Sequence, residues 1–303
     1  MIRSLQGVAT ILVLLATTTL FFADLSSAQA CAACACGDPT LTTLGSDRAF
    51  AGRVRMSSIM RYRSLKLGDA ANQTELRELQ LMLAGAVSLT DRLTLGIAIP
   101  LAELTVNYAN LAQDRSVGPR DLRLSAKWTV MSDRNAREAH LGGVRFELRL
   151  PTAPEFSAND GTLLPIEAQL DPGSWKFVQA LWYSYFAYPW SLQASARLRV
   201  TTEGNQAYQQ GIAGFVDVQG QYQLNTRLAL SAGLHGRIAR ENTQAESPEA
   251  DTGGGIVFGS AGLTVALAQD TNLNLNGFIP AYAVLNGYQK ESPLVEVSLT
   301  TDF

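Results

Sequence analysis

The chain has 303 residues, 47% hydrophobic and 17% charged, with a formal net charge of -3. That balance carries no basic excess for nucleic acid, and no charge block or low-complexity tract marks a disordered tail. Residues 31 to 303 are long enough for one large all-β unit or two ordinary domains, so periodicity has to decide between them.

Residues 1–30 read as a cleaved secretory signal. Met1-Ile2-Arg3 supplies the charge, "VATILVLLATTTLFF" from Val8 to Phe22 the apolar middle, and Ala28-Gln29-Ala30 the A-x-A site. The apolar run is shorter than the ~20 residues a spanning helix needs. Export to an oxidising compartment follows.

Residues 31–48 form a short tail that opens "CAACACGDPT" and holds all 3 cysteines of the chain, Cys31, Cys34 and Cys36. Spaced C-x-x-C-x-C, three soft thiolates can converge on one Cu(I) or Zn(II) ion. Covalent haem attachment needs a histidine where Ala35 stands, and is excluded. Two other readings stand beside metal binding: a disulfide with one thiol left to link a partner, and lipidation of Cys31.

From residue 49 onward the pattern has period two. In "DLRLSAKWTV", Leu122, Leu124, Ala126, Trp128 and Val130 alternate with Asp121, Arg123, Ser125, Lys127 and Thr129, which no helix can satisfy. "GVRFELRL", the run Leu192 to Thr201 and "LALSAGLHGRI" repeat it. Strands are expected near 49–66, 76–89, 93–107, 119–131, 142–151, 174–188, 191–202, 213–224, 228–240, 256–267, 272–280 and 294–303. Most are longer than soluble-sheet strands and suit a tilted bilayer crossing.

The connections alternate in size. Tight ones are Thr90 to Arg92, Tyr188 to Trp190, Asn225 to Arg227 and Ala268 to Thr271, with Ser132 to His140 looser. The long ones are 68–75, 108–118, 152–173, 203–212, 241–255 and 281–293. Short turns at one rim and long loops at the other describe an all-β, antiparallel transmembrane β-barrel of about 12 strands, with both ends of the chain at the periplasmic rim. Aromatics near strand ends, Tyr62, Tyr108, Trp128, Trp175, Tyr188, Trp190, Tyr222 and Phe303, read as interfacial girdles. The competing reading is a secreted two-layer β-sandwich.

"LSAKW", "LRLPTAPEF", "DPGSWKFVQALWYSYF", "WSLQASARLRVTTEG" and "LNTRLALSAGL" followed by "DTGGG" resemble outer-membrane transporters of the phenol-degradation meta-pathway type, distantly akin to long-chain fatty acid transporters. The likeness spans residues 45 to 303. It implies a β-barrel with a channel or transport role. The long N-terminal hatch of fatty-acid transporters has no counterpart in residues 31–48, so a hydrophobic-substrate gate is not carried over.

With polar faces inward, the pore-lining candidates are Arg53, Arg55, Arg61, Arg63, Arg123, Lys127, Arg145, Arg149, Arg197, Arg199 and Arg237. Fewer acids oppose them: Glu78, Asp121, Glu147, Asp217, Glu296 and Asp302. A basic lining in a narrow passage favours small anions. The same charges could instead pair across strands and fill the interior.

Only 2 histidines are available for catalysis. His140 falls in a short turn, and His235 shares a strand face with Ser231, about 13 Å away along the strand. No enzymatic activity is expected, although other strands could bring His235 a partner. The expectation is an outer-membrane channel for small solutes in a Gram-negative envelope, its partners being lipid, solute and, through the cysteines, a periplasmic redox or metal protein. The alternative is a non-conducting barrel that anchors such a protein.

Overall fold

The computed structural model describes residues 51–69, 71–134 and 138–303. The expected signal at 1–30 and the tail at 31–48 lie outside them. Twelve long strands follow one another: β1 (Val54–Leu67), β2 (Thr74–Ser88), β3 (Leu93–Asn107), β4 (Leu122–Arg134), β5 (Ala139–Leu150) and β6 (Lys176–Ala187). The second half is β7 (Trp190–Thr201), β8 (Ala213–Gln223), β9 (Leu228–Ala239), β10 (Gly254–Ala268), β11 (Thr271–Leu285) and β12 (Leu294–Asp302). Each pairs antiparallel with the next, and β1 closes the ring on β12, with Arg55 opposite Asp302 and Tyr62 opposite Val295.

Closure leaves the long strands without a free edge. In hydrocarbon each unsatisfied backbone group costs several kcal/mol, so a ring is the only sheet that can cross. The side chains are sorted in the opposite sense to a soluble protein. Leu83, Ile97, Ile99, Phe146, Leu181, Leu198 and Leu234 are exposed on the outside, while Gln221, Asn274, Glu296, Ser298 and Lys176 are buried within. This overturns the two-layer sandwich reading, which would put the aliphatic face in a core.

The exposed aromatics Trp128, Tyr188, Trp190, Tyr222 and Phe303 gather at the short-turn rim, and Tyr62, Trp175, Tyr282 and Tyr288 toward the other. Tyr108 does not belong to a girdle. Its hydroxyl donates to Asp114 at 2.9 Å and its ring packs on a buried cluster inside the mouth.

Three of the departures from the expected boundaries have a local reason. The stretch taken as a loop at 108–118 contains a strand, Gln113–Pro119, that pairs with the upper half of β3, while β4 pairs with the lower half. Between them Arg120 and Asp121 make a bulge that shifts the alternation of faces. β11 continues past Pro280, which sits at the register shift beside Val257 and Phe258, where its missing N–H breaks no regular ladder. His140 is in β5 rather than a turn, its Nδ1 2.7 Å from the Tyr183 hydroxyl.

The connection 151–175 folds back over the barrel mouth. Leu164, Ala168 and Leu170 bury against Ala102, Leu104 and Val106, the inward residues of upper β3. Gln169 pins the loop to itself, donating to the Phe156 and Leu164 carbonyls at 2.9 Å and accepting from the Phe156 N–H at 2.8 Å. Ser116 donates to the Ala168 carbonyl at 2.6 Å. Gly118 makes the close approach possible, since a Cβ there would lie 2.9 Å from the Phe156 ring.

Candidate lumenal site

Charge enters the interior through parity, because every second residue of a barrel strand faces in. At the short-turn end Arg53 and Arg55 share Asp302, each at 2.6 Å. Arg61 pairs with Glu296, the residue opposite it on β12. Arg145 and Arg149 share Glu147, which lies between them on β5, while Arg197 bonds Asp217 and Arg237 bonds Glu291 at 2.8 and 2.9 Å. Lys127 lies over the Trp182 ring, 4.0 Å from its centre.

The mouth holds a denser network. Glu78 accepts from Arg63 at 2.7 Å and from Arg120 at 2.6 Å. Arg120 continues to Asp171 of the infolded loop at 2.9 Å, and Lys176 bonds both Asp171 and Asp121. Lys176 and Asp121 side chains are each 2% exposed. Burial by itself would raise the Asp171 carboxyl, but Arg120 and Lys176 outweigh it and hold the group well below the usual carboxylate range.

Sequence reasoning missed Arg120, Asp171 and Lys176. The bulge turns Arg120 inward against the simple alternation, and Asp171 comes from a loop. Lys176 was legible: it begins the alternation that places Ala180, Trp182 and Ser184 inside.

Two cations of the wall stay outside these pairings. Neither Arg123 nor Arg199 is held in an ion pair by any described residue, and the Nε of each is buried without a hydrogen-bond partner. Arg123 faces another cation, Arg149, directly across the β4–β5 ladder. Arg199 lies 5.7 Å from the centre of the Phe215 ring, and Arg197 is 5.0 Å from the same ring. The basic surplus is therefore concentrated on the wall formed by β4 to β7.

Further round, three strands bring together groups that sequence spacing left apart. His235 on β9 sits opposite Asp217 on β8, Nδ1 to Oδ1 3.0 Å, and its Nε2 lies 2.9 Å from the Oγ of Ser260 on β10. Ser231, the hydroxyl on the same strand face as His235, is not its partner. Among the described residues no group of His, Cys, Asp and Glu side chains could hold a metal ion. Cys31, Cys34 and Cys36 lie outside the described residues.

No protein-family model and no curated protein matches the sequence. The structure is similar to that of the COG4313 outer membrane channel from Pseudomonas putida F1. The TM-score is 0.65 at 17% identity, covering 86% of this chain and 98% of that one. The chain has the fold of an outer-membrane channel. This channel fold is also similar, at lower scores, to the translocator domain of the autotransporter NalP from Neisseria meningitidis (TM-score 0.49, 10% identity, 86% of this chain and 91% of that one). A FadL homologue of Pseudomonas aeruginosa gives a TM-score of 0.42 at 10% identity, over 83% and 90% of the two chains.

Proposed function

We propose that the protein is an outer-membrane channel that passes small solutes and prefers anions. The observation that carries the reading is the pair Arg123 and Arg199, cations partly buried in the interior that no described residue holds in an ion pair and whose Nε atoms have no hydrogen-bond partner. A guanidinium left so is costly, and an anion at ~4 Å would gain about 4 kcal/mol from each at an effective dielectric of about 20. Water in the lumen reduces this toward about 1 kcal/mol, which still biases the traffic. The eleven sequence candidates contribute unequally on this reading, because the paired ones have their charge spent on neighbouring acids.

Planar-bilayer recording under a KCl gradient tests this. The zero-current potential should take the sign of chloride flow and move toward zero selectivity in an Arg123→Gln, Arg199→Gln variant. Cation preference in the parent protein would refute the anion reading. The infolded loop 151–175 supports a second reading, a closed barrel that serves as a scaffold; on that reading the same bilayers stay silent.

The periplasmic tail is proposed to carry Cu(I) or a partner protein through Cys31, Cys34 and Cys36. The intact mass of the mature protein, taken with and without chelator and reductant, distinguishes bound metal from a disulfide and from a lipid.

A further inference from the structure

The chain Asp217, His235, Ser260 meets the charge pairing of the wall only at Asp217, which also accepts from Arg197. A carboxylate can only accept, so His235 Nδ1 must carry the proton that bonds Asp217 Oδ1. In the neutral ring Nε2 is then an acceptor, and the Ser260 hydroxyl is the donor across the 2.9 Å contact. Asp217 is itself fixed, since its other oxygen accepts from Arg197 at 2.8 Å and from Ser195 at 3.2 Å. A nucleophile, a base of the right tautomer and an acid that holds the tautomer thus meet within hydrogen-bond distance, the geometry general-base activation of a serine requires.

Gly233 faces the pair from β9, and a Cβ there would stand 2.8 Å from the Val218 carbonyl, 3.1 Å from Ser260 Oγ and 3.2 Å from His235 Nε2, so glycine is the residue that does not press on the reacting atoms. Phe278 stands edge-on to the His235 ring at 5.1 Å, and Phe258 is its ladder neighbour on β10, giving an apolar flank. Two ladder rows toward the short-turn rim the Ser231 hydroxyl and the Asn276 amide converge over Gly262, hydrogen-bonding groups on the lumenal face.

We propose that Ser260, His235 and Asp217 form an acyl-transfer site in the lumen wall that hydrolyses carboxylic esters with small apolar acyl groups. Ser260 Oγ bonds to the ester carbonyl carbon as its proton passes to His235 Nε2, and the carbonyl oxygen takes the negative charge. That intermediate collapses, breaking the bond to the alkoxy oxygen, which leaves as the alcohol with the proton from His235. Water then gives a proton to His235 and bonds the acyl carbon. Ser260 departs with that proton and the carboxylic acid is released. The net change is ester plus water to acid plus alcohol, with no cofactor.

The test uses the full mature protein folded in detergent, with a fluorophosphonate probe and p-nitrophenyl butyrate. The expected result is a single phosphonyl adduct, mapped by peptide mass spectrometry to Ser260, and measurable ester turnover. Ser260→Ala should abolish adduct and turnover. His235→Gln should lower both by at least about a hundredfold, the usual contribution of a general base. Asp217→Asn should lower the rate while the adduct still maps to Ser260. An unlabelled Ser260 in the folded parent protein would overturn the proposal, as would equal labelling in the His235→Gln variant. The mapping on parent protein decides the matter even if a variant fails to fold.

Discussion

Replacing Asp171 by Asn removes one charge from the anchor of the infolded loop and nothing from the barrel wall. Arg120 keeps Glu78 and Lys176 keeps Asp121, but each loses the ion pair that joins it to the loop. Breaking a buried pair from one side costs about 3–5 kcal/mol. The rest of the docking energy comes mainly from Leu164 and Leu170, which bury against β3 and contribute about 1.5–3 kcal/mol each. The lost pair is thus comparable with all the apolar burial that remains. A loss of 3 kcal/mol multiplies the undocked fraction by roughly a hundred. Single-channel recording should therefore show a larger or more frequently open conductance in Asp171→Asn. A glutamyl endopeptidase should also cut at Glu167, within the packed turn Ile166–Ala168, faster than in the parent. Unchanged conductance together with unchanged cleavage would refute the argument that this charge network holds the loop.

Acidification tests the same anchor with the opposite expectation. Asp171 has a depressed folded pKa, so its stabilisation is complete above the ordinary carboxylate pKa of about 3.9 and is lost only as pH falls through the lower folded value. Conductance at about pH 4 should match that at about pH 7 as far as this loop governs it. Gly118→Val should loosen the loop by steric means, since the added carbons meet the Phe156 ring, and the same cleavage assay reads it. On the outer surface Leu181, 60% exposed, should tolerate Ile but not Arg, which costs about 2–4 kcal/mol near the bilayer midplane, measured by denaturant titration in lipid vesicles. Replacing Arg123 alone by Gln should reduce anion preference by less than the double change with Arg199, read from the zero-current potential.

Much of the architecture was legible because a strand's two faces are set by parity alone. "DLRLSAKWTV" and "LALSAGLHGRI" state which side chains meet lipid, and the alternation of turn sizes states the topology. The reading failed where parity was interrupted or where contacts came from another element. Arg120 turned inward at a bulge, Tyr108 joined the loop core instead of a girdle, and β11 ran through Pro280 because its partner shifted register there. His235 looked isolated because its partners are on β8 and β10, distant in sequence and adjacent in the ring.

The linear chain thus determined the class of wall: its period, its strand number, its greasy outside and its charged inside, since these depend on neighbours along one strand. Which inward charges are cancelled, where a surplus remains, and how residues 151–175 sit in the mouth were decided only by closure of the ring. Pairing energies depend on register between strands and on loops folding back, and neither is written in the spacing of residues along any single strand.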